Sequence, residues 1–322
     1  MSSNPQPATR NPQTGGVGPH VALVAVQVIF GTWPILGKIT LRVLPSTGLV
    51  AFRVVGAAAA FLLLGRLTGR LVVPERRDLA RFALYSLLGV VLNQFLFTKG
   101  ISLSTVTNAA LLGTAIPVFT LVVSALLGYE RLSGRAALGT AVAAAGVLYL
   151  VDPLRADLSG DKTLGNLLLV ANTLSYGAYL ALTQDAFRRY GALTAMTWVF
   201  LFACVAAVPV GGYHLAQAPL REVGAGVWLA VAYIILVPTV GAYYLNAWAL
   251  ERAAPSTVAV YIYLQPLIAY AVAPLVLGAE EGWNARTWVA TALIFAGVAV
   301  VTLRPRSHVL EEVSERPDAP AR

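Results

Sequence analysis

Charge is scarce in this chain. Of 322 residues only 12% are charged, against 57% hydrophobic, and the mean hydropathy is +0.71. Soluble proteins carry about 25% charged residues, and a core this apolar would leave too little polar surface to face water. A soluble enzyme and a soluble nucleic-acid binder are excluded on that ground. Cysteine is nearly absent as well. The single Cys204 sits inside an apolar stretch, so an intramolecular disulfide framework is impossible. The three histidines, His20, His214 and His308, are scattered and lack metal-ligand spacing. There is no Gly-x-Ser-x-Gly elbow, no His-Glu-x-x-His and no phosphate-cradling glycine loop before a helix, and no cofactor is implied.

What the chain has is long apolar runs. A helix crossing about 30 Å of hydrocarbon needs roughly 20 apolar residues. Ten stretches qualify: 20–38, 46–65, 79–98, 104–127, 134–151, 164–184, 192–213, 225–248, 255–276 and 284–303. The runs are continuously apolar, without the alternation that barrel strands need, so the expected class is all-α integral membrane. Residues 1–19 and 304–322 are polar and read as disordered tails. The first span then acts as the uncleaved targeting signal.

The formal charge of +8 belongs to orientation rather than to nucleic acid. Most of the 23 Lys and Arg lie in short connections, and no basic patch interleaved with aromatics is present. With the N-terminus in the cytoplasm, 15 of them fall on the cytoplasmic side and seven on the other. The positive-inside rule therefore places both termini in the cytoplasm. Short connections fit a bacterial inner membrane.

Two halves are expected, 20–151 and 164–303, joined by a linker over 152–163. In the first, Pro117 is followed after 11 residues by Gly128 and after 18 more by Gly146. In the second, Pro266, Gly278 and Gly297 repeat the order at spacings of 12 and 19. Five spans per half force the second half to insert upside down. Inverted repeats with proline-interrupted helices at matching positions mark secondary transporters.

Particular segments carry a resemblance. Residues 100–110 (Gly100 through Asn108 to Ala110), Ile116-Pro117-Val118 and Gly128-Tyr129-Glu130-Arg131-Leu132 resemble the EamA domain of the drug/metabolite transporter superfamily. A second copy is similar over Ala253 to Thr257, Tyr263-Leu264-Gln265-Pro266 and Leu277 to Glu280. The resemblance covers nearly all of 20–303. It implies ten helices as two inverted five-helix repeats around a central cavity, cytoplasmic termini, and movement of small metabolites, often outward.

The candidate cavity lining comes from polar and aromatic residues at helical spacing. Asn172, Tyr176, Tyr179 and Thr183 share one face of the sixth span, as Thr239, Tyr243 and Asn246 do in the eighth. Thr257, Tyr261 and Gln265 do the same in the ninth, and Asn93, Gln94 and Asn108 join from the third and fourth. An amide or phenol facing lipid costs several kcal/mol unless bonded, so these stripes turn inward. The plainer reading is that they tie helices together. Pro117 and Pro266 each remove a backbone donor and are expected to kink or gate their spans. Arg53, the one clear charge within a span, either attracts an anionic group or locks the bundle by bonding carbonyls. Trp33 lies deep enough to stack on a substrate or to pack in the core. Lys99 reads as a rim residue, Glu130, Glu251 and Glu280 as span-end caps or ion pairs, and Trp228, Trp248, Trp283 and Trp288 as interfacial.

The expected function is secondary transport of small metabolites, with amino acids or related compounds as leading cargo and export as direction. No Asp or Glu lies near the middle of a span, which favours exchange or facilitated diffusion over proton coupling. Rival readings are a nucleotide-sugar or phosphosugar carrier, which needs several cations in its cavity, and a membrane enzyme or sensor. Partners are the small-molecule substrate and the lipid bilayer, with no nucleic acid. A monomer is sufficient for this reading.

Overall fold

The computed structural model describes residues 17–130, 133–151, 162–268, 271 and 285–303. Among them the regular structure is entirely helical, without a strand. Helices α1 (Val17–Thr40) and α2 (Ser46–Leu67) are separated at Pro45, whose ψ of 139° takes the chain out of helix. Next come α3 (Arg76–Ser86) and α4 (Asn93–Leu103), joined into one rod by a π-helical turn over Leu87–Leu92. Then α5 (Val106–Gly113) meets α6 (Ala115–Leu126) at Thr114, and α7 covers Gly134–Val151.

Two long helices follow, α8 (Thr163–Tyr190) and α9 (Ala192–Ala216). After them α10 (Ala225–Ile234) and α11 (Ala242–Leu250) are joined by a second π-helical turn, Ile235–Gly241. Helix α12 (Pro255–Val260) tightens into a 3₁₀ turn at Tyr261–Tyr263, and the chain is helical again over 264–268. The last described helix, α13, is Ala285–Thr302.

Both irregular rods have a local cause. Thr114 and Tyr263 each stand three residues before a proline, Pro117 and Pro266. A proline has no N–H for the carbonyl four residues back, which here belongs to Gly113 and Ile262. The helix changes its winding where that bond is missing. An ordinary glycine-terminated helix end is seen at α6. Gly128 takes φ of +72°, and the amides of Leu127, Gly128 and Tyr129 return to the carbonyls of Val123, Ala125 and Ser124. A side chain at this left-handed position is strained.

Each apolar stretch read from the sequence contains a described helix, while the far part of the ninth, residues 152–161 of the linker, and the tails 1–16 and 304–322 lie outside the described residues. By length and hydropathy five stretches can each cross a bilayer: Ser46–Leu67, Arg76–Leu103, Asn108–Leu126, Ala192–Ala216 and Ala225–Leu250. Helix α8, at 28 residues, is long enough but more polar. Its polar residues are inside: Asn166, Asn172, Thr173, Ser175 and Thr183 are all buried.

The molecule is apolar on the outside and polar within. Leu126, Val205 and Leu229 are 81%, 75% and 72% exposed, whereas Gln27, Gln94 and Asn108 are at most 1% exposed. Water would reverse that distribution, and a hydrocarbon surround favours it. The helices pair across the chain: α2 lies along α9, α7 along α13, α1 along α11, and α4 and α6 along α8. The main core gathers Phe61, Phe82, Phe187, Met196 and Phe200.

Candidate substrate cavity

An internal cavity of about 110 Å³ lies where α1, α2, α4, α5, α8 and α11 converge on the broken rod of α12. Eight of the residues singled out as lining are in its wall: Trp33, Arg53, Asn93, Gln94, Asn172, Tyr176, Tyr243 and Gln265. Pro266 joins them. So do Gly113 and Ile262, the two residues whose carbonyls the prolines leave without a helical partner.

Arg53 is 3% exposed and stands on α2. Its Nε donates to Thr239 Oγ1 at 3.0 Å, and its guanidinium carbon lies 4.4 Å from the centroid of the Trp33 ring. Thr239 is held by the π turn before α11, where its hydroxyl donates to the Ile234 carbonyl at 2.7 Å. The wide turn thus aims a threonine oxygen at the arginine. Arg53 and Trp33 are at once wall and brace. Cation–π contact of this kind is worth about 0.5–2 kcal/mol.

The opposite π turn serves the other wall. Tyr243 donates its hydroxyl to Asn93 Oδ1 at 2.9 Å, with the Gly89 carbonyl 3.3 Å away. Asn172 donates to the Asn93 carbonyl and Ser175 to the Leu88 carbonyl, at 2.9 and 2.8 Å. Carbonyls around Leu87–Leu92 are therefore answered by side chains of α8 and α11. Gln265 donates to Gln27 Oε1 at 2.7 Å. Gln94 is 1% exposed, and among the described residues the polar group beside its amide is the Tyr243 hydroxyl, without a well-formed hydrogen bond.

Five expected site residues are not in the wall. Tyr179 stacks on Tyr176, with ring centroids 5.6 Å apart, and its ring fills the space a Cβ at Gly89 would need. Asn246 stands behind the wall and donates to the Tyr176 hydroxyl at 3.1 Å. Asn108 turns to Ser104 and Asn166, at 3.1 and 3.0 Å, and ties α5 to α8. Tyr261 is within hydrogen-bonding distance of His20 Nδ1, 2.6 Å from its hydroxyl. Pro117 is buried in α6 and acts on the cavity only through Gly113.

Sequence reasoning missed Phe30, Gly31, Phe97, Thr114 and Thr173 in the wall and Gln27 behind it. Gln27 carried a signal: it is an amide inside an otherwise apolar run. Gly31 lies so close to the Gln265 carbonyl that an added Cβ would sit 3.2 Å from it. Thr183, in the expected stripe, spends its hydroxyl on the Tyr179 carbonyl of its own helix.

The described span-end residues bond or lie exposed. Glu130 accepts from both the backbone N–H and the hydroxyl of Ser256. Glu251 accepts from the Ala192 amide and pairs with Arg252, which stacks over Trp248 at 4.2 Å. Trp228 meets Phe52 edge to face, while Trp288 and Lys99 are exposed. Trp283 and Glu280 lie outside the described residues. Among the described residues, no group of His, Cys, Asp and Glu is placed to hold a metal ion.

Apolar outer faces, buried amides and a cavity under broken helices together define a helical multi-pass membrane protein. The chain belongs to the EamA-like transporter family, whose model matches residues 19–151 and 163–303. It is similar to the WAT1-related protein At3g18200 of Arabidopsis thaliana, 26% identical over 295 residues covering 80% of this chain and 75% of that protein. It is also similar to the uncharacterized transporter YetK of Bacillus subtilis, 20% identical over 90% of this chain and 88% of that one. A solved crystal structure shares the fold at a TM-score of 0.72 and 20% identity, covering 88% of this chain and 96% of its own.

Proposed function

We propose that this protein is a secondary transporter that moves small metabolites, amino acids or related compounds, out of the cell across the cytoplasmic membrane by alternating access. In this reading ten spans form two inverted five-helix units, 20–151 and 164–303, with both termini in the cytoplasm. The observation that carries it is the cavity, whose wall takes residues from both units beneath two proline-broken rods. The helix pairing favours it too. Exchanging the units maps α2 against α9 and α7 against α13 onto themselves, and α4 against α8 onto α11 against α1. Both π turns fall in the third span of their unit.

Alternating access needs one end held shut while the other admits solute. Among the described residues, more of the ties between rods lie at the end this reading assigns to the cytoplasm than at the other, where Asn108 meets Asn166 and Arg286 meets Tyr149. Those at the cytoplasmic end include Glu130 on Ser256, Gln184 on the carbonyls of Leu250 and Ala253, Glu251 on Ala192, and Arg189 and Tyr190 on Asp78. Rocking one unit against the other must exchange these bonds for equivalents at the far end. A phosphosugar carrier is less favoured, since Arg53 is the one cation among the described residues of the wall.

The test is counterflow in proteoliposomes preloaded with pooled amino acids, with and without an imposed pH gradient. Exchange that ignores the gradient supports a facilitator or exchanger. Gradient-driven accumulation supports proton coupling instead. No flux from folded protein removes amino acids as cargo.

A further inference from the structure

We infer that the cavity is built for a carboxylate anion, with Arg53 as the anchor and the Gln94 amide as its companion. The inference rests on the transporter reading and moves its leading cargo from amino acids to monoanionic carboxylates with an apolar body.

The argument starts from unspent hydrogen bonds. A guanidinium has five N–H donors in a fixed planar fork. Among the described residues only Nε of Arg53 finds an acceptor, Thr239, and the terminal nitrogens make no hydrogen bond while Arg53 forms part of the cavity wall. An arginine whose only task was to brace helices would spend its fork on the carbonyls around it. This one keeps its terminal nitrogens free and sets its guanidinium carbon over the Trp33 ring, 4.4 Å from the centroid. That contact helps hold the guanidinium without consuming an N–H, which leaves the fork available to a planar, bidentate acceptor.

Charge balance gives the sign. Arg53 is 3% exposed, and among the described residues it forms no ion pair and its cavity wall holds no carboxylate. A buried charge without a partner costs several kcal/mol, and an arriving anion is what removes that cost. The same absence argues against a cationic cargo, which would meet a like charge and no counter-ion. A zwitterionic amino acid stands between: its carboxylate is answered, its ammonium only by neutral oxygens.

Gln94 supplies the second, independent observation. Its amide lies beside the Tyr243 hydroxyl, whose proton is given to Asn93, so a buried amide in the wall keeps hydrogen-bonding capacity for a ligand. Its N–H groups can donate to the same carboxylate or its oxygen accept from a hydroxyl or amide on the cargo. Phe30, Phe97, Ile116, Leu169 and Ile262 offer no polar side-chain atom to the chamber, and the polar side chains beside them are engaged with the protein: Tyr243 with Asn93, Asn172 with the Asn93 carbonyl, Tyr176 with Asn246 and Gln265 with Gln27. The fitting ligand is therefore a small organic acid, charged at one end and apolar or aromatic at the other.

A neutral-to-charged series of one shape tests this. Equilibrium binding of 3-phenylpropionate, 3-phenylpropionamide, 3-phenylpropylamine and phenylalanine is measured on the full-length protein in nanodiscs, unmodified and as Arg53→Gln, Arg53→Lys and Gln94→Leu. The expected order is propionate tightest, by at least tenfold over the amide, then phenylalanine, with the amine weakest. Arg53→Gln should bring the ratio of acid to amide to about one, Arg53→Lys should restore part of it, and Gln94→Leu should reduce it. Should Arg53→Gln not fold, the series on the unmodified protein decides alone. Equal binding of acid and amide, or no binding of the acid at millimolar concentration, overturns the inference. Counterflow of the same four compounds separates the two readings. Charge-blind flux sinks the anion site and leaves transport standing. An acid-selective site without flux of any compound supports the anion site and sinks transport.

Discussion

The Glu130 carboxylate takes both the backbone N–H and the hydroxyl of Ser256, so the acid that ends α6 caps the start of α12. Helix α12 has no cap of its own, since Ala254 precedes it and Pro255 brings no N–H. The cap is supplied instead by a residue 126 positions away, across the boundary between the family-model segments. Losing a cap costs about 0.5–2 kcal/mol. Glu130→Ala should therefore lower stability by about 1 kcal/mol, measured by chemical unfolding in detergent, and Ser256→Ala by less because its N–H remains. If Glu130→Ala matches the unmodified protein, the contact is not a cap of any weight.

Helices α7 and α13 touch backbone to backbone. A Cβ at Gly297 would come within 2.5 Å of the Ala143 nitrogen and the Gly139 oxygen, neither of which can move aside. Close packing through small residues is how membrane helices associate in the absence of a hydrophobic drive. Gly297→Ala should destabilise by about 1–3 kcal/mol through overpacking. Gly212→Ala, in α9 with open space around it, serves as the control and should be neutral or stabilising. Equal melting temperatures for the two variants would count against tight α7–α13 packing.

The segment between α2 and α3 is clasped to the second half. Asp78 accepts from the Tyr190 hydroxyl at 2.6 Å and from Arg189 at 3.0 Å, while Thr194 and Trp198 donate to the carbonyls of Arg70 and Val72. Removing one hydroxyl, in Tyr190→Phe, leaves the Arg189 pair in place but loosens the clasp. Hydrogen–deuterium exchange over residues 70–78 should then become several-fold faster, with exchange in the middle of α9 unchanged. A uniform rise along the chain would indicate general destabilisation instead.

How much of this was legible follows from what each feature depends on. The helices were, because lipid demands a run of apolar residues that the sequence displays directly. The break at Pro266 was also legible, since proline carries its own cause. The first π turn was not: Leu87–Leu92 reads as ordinary helix, and its extra width is stabilised by Ser175, Asn172 and Tyr243, which arrive from elsewhere in the chain, whereas the second holds Pro238, a signal the sequence reading passed over. Tyr176 and Tyr179 could not be separated by periodicity, being neighbours on one helical face. Their roles diverge only because Gly89 makes room for the ring of Tyr179. Asn108 was misassigned for a similar reason, as its partners Ser104 and Asn166 meet it only in the folded bundle.

The last pair of variants separates the cavity from its surroundings. Gln265 is in the wall and bonds Gln27 on α1, whereas Tyr261, one helical turn earlier, meets His20 outside the wall. Both were expected from the sequence to contact substrate, and the structure divides them. Gln265→Ala removes an amide from the chamber and leaves the buried Gln27 oxygen without its donor. A lost hydrogen bond of this kind costs about 1 kcal/mol, so flux at low substrate should fall about fivefold at equal expression. Tyr261→Phe keeps the ring and loses only the bond to His20, so its flux should stay within twofold. The measurement is initial counterflow rate per mole of reconstituted protein. A fall for Tyr261→Phe that equals or exceeds that for Gln265→Ala would move the working site from the cavity toward the His20 end of the bundle.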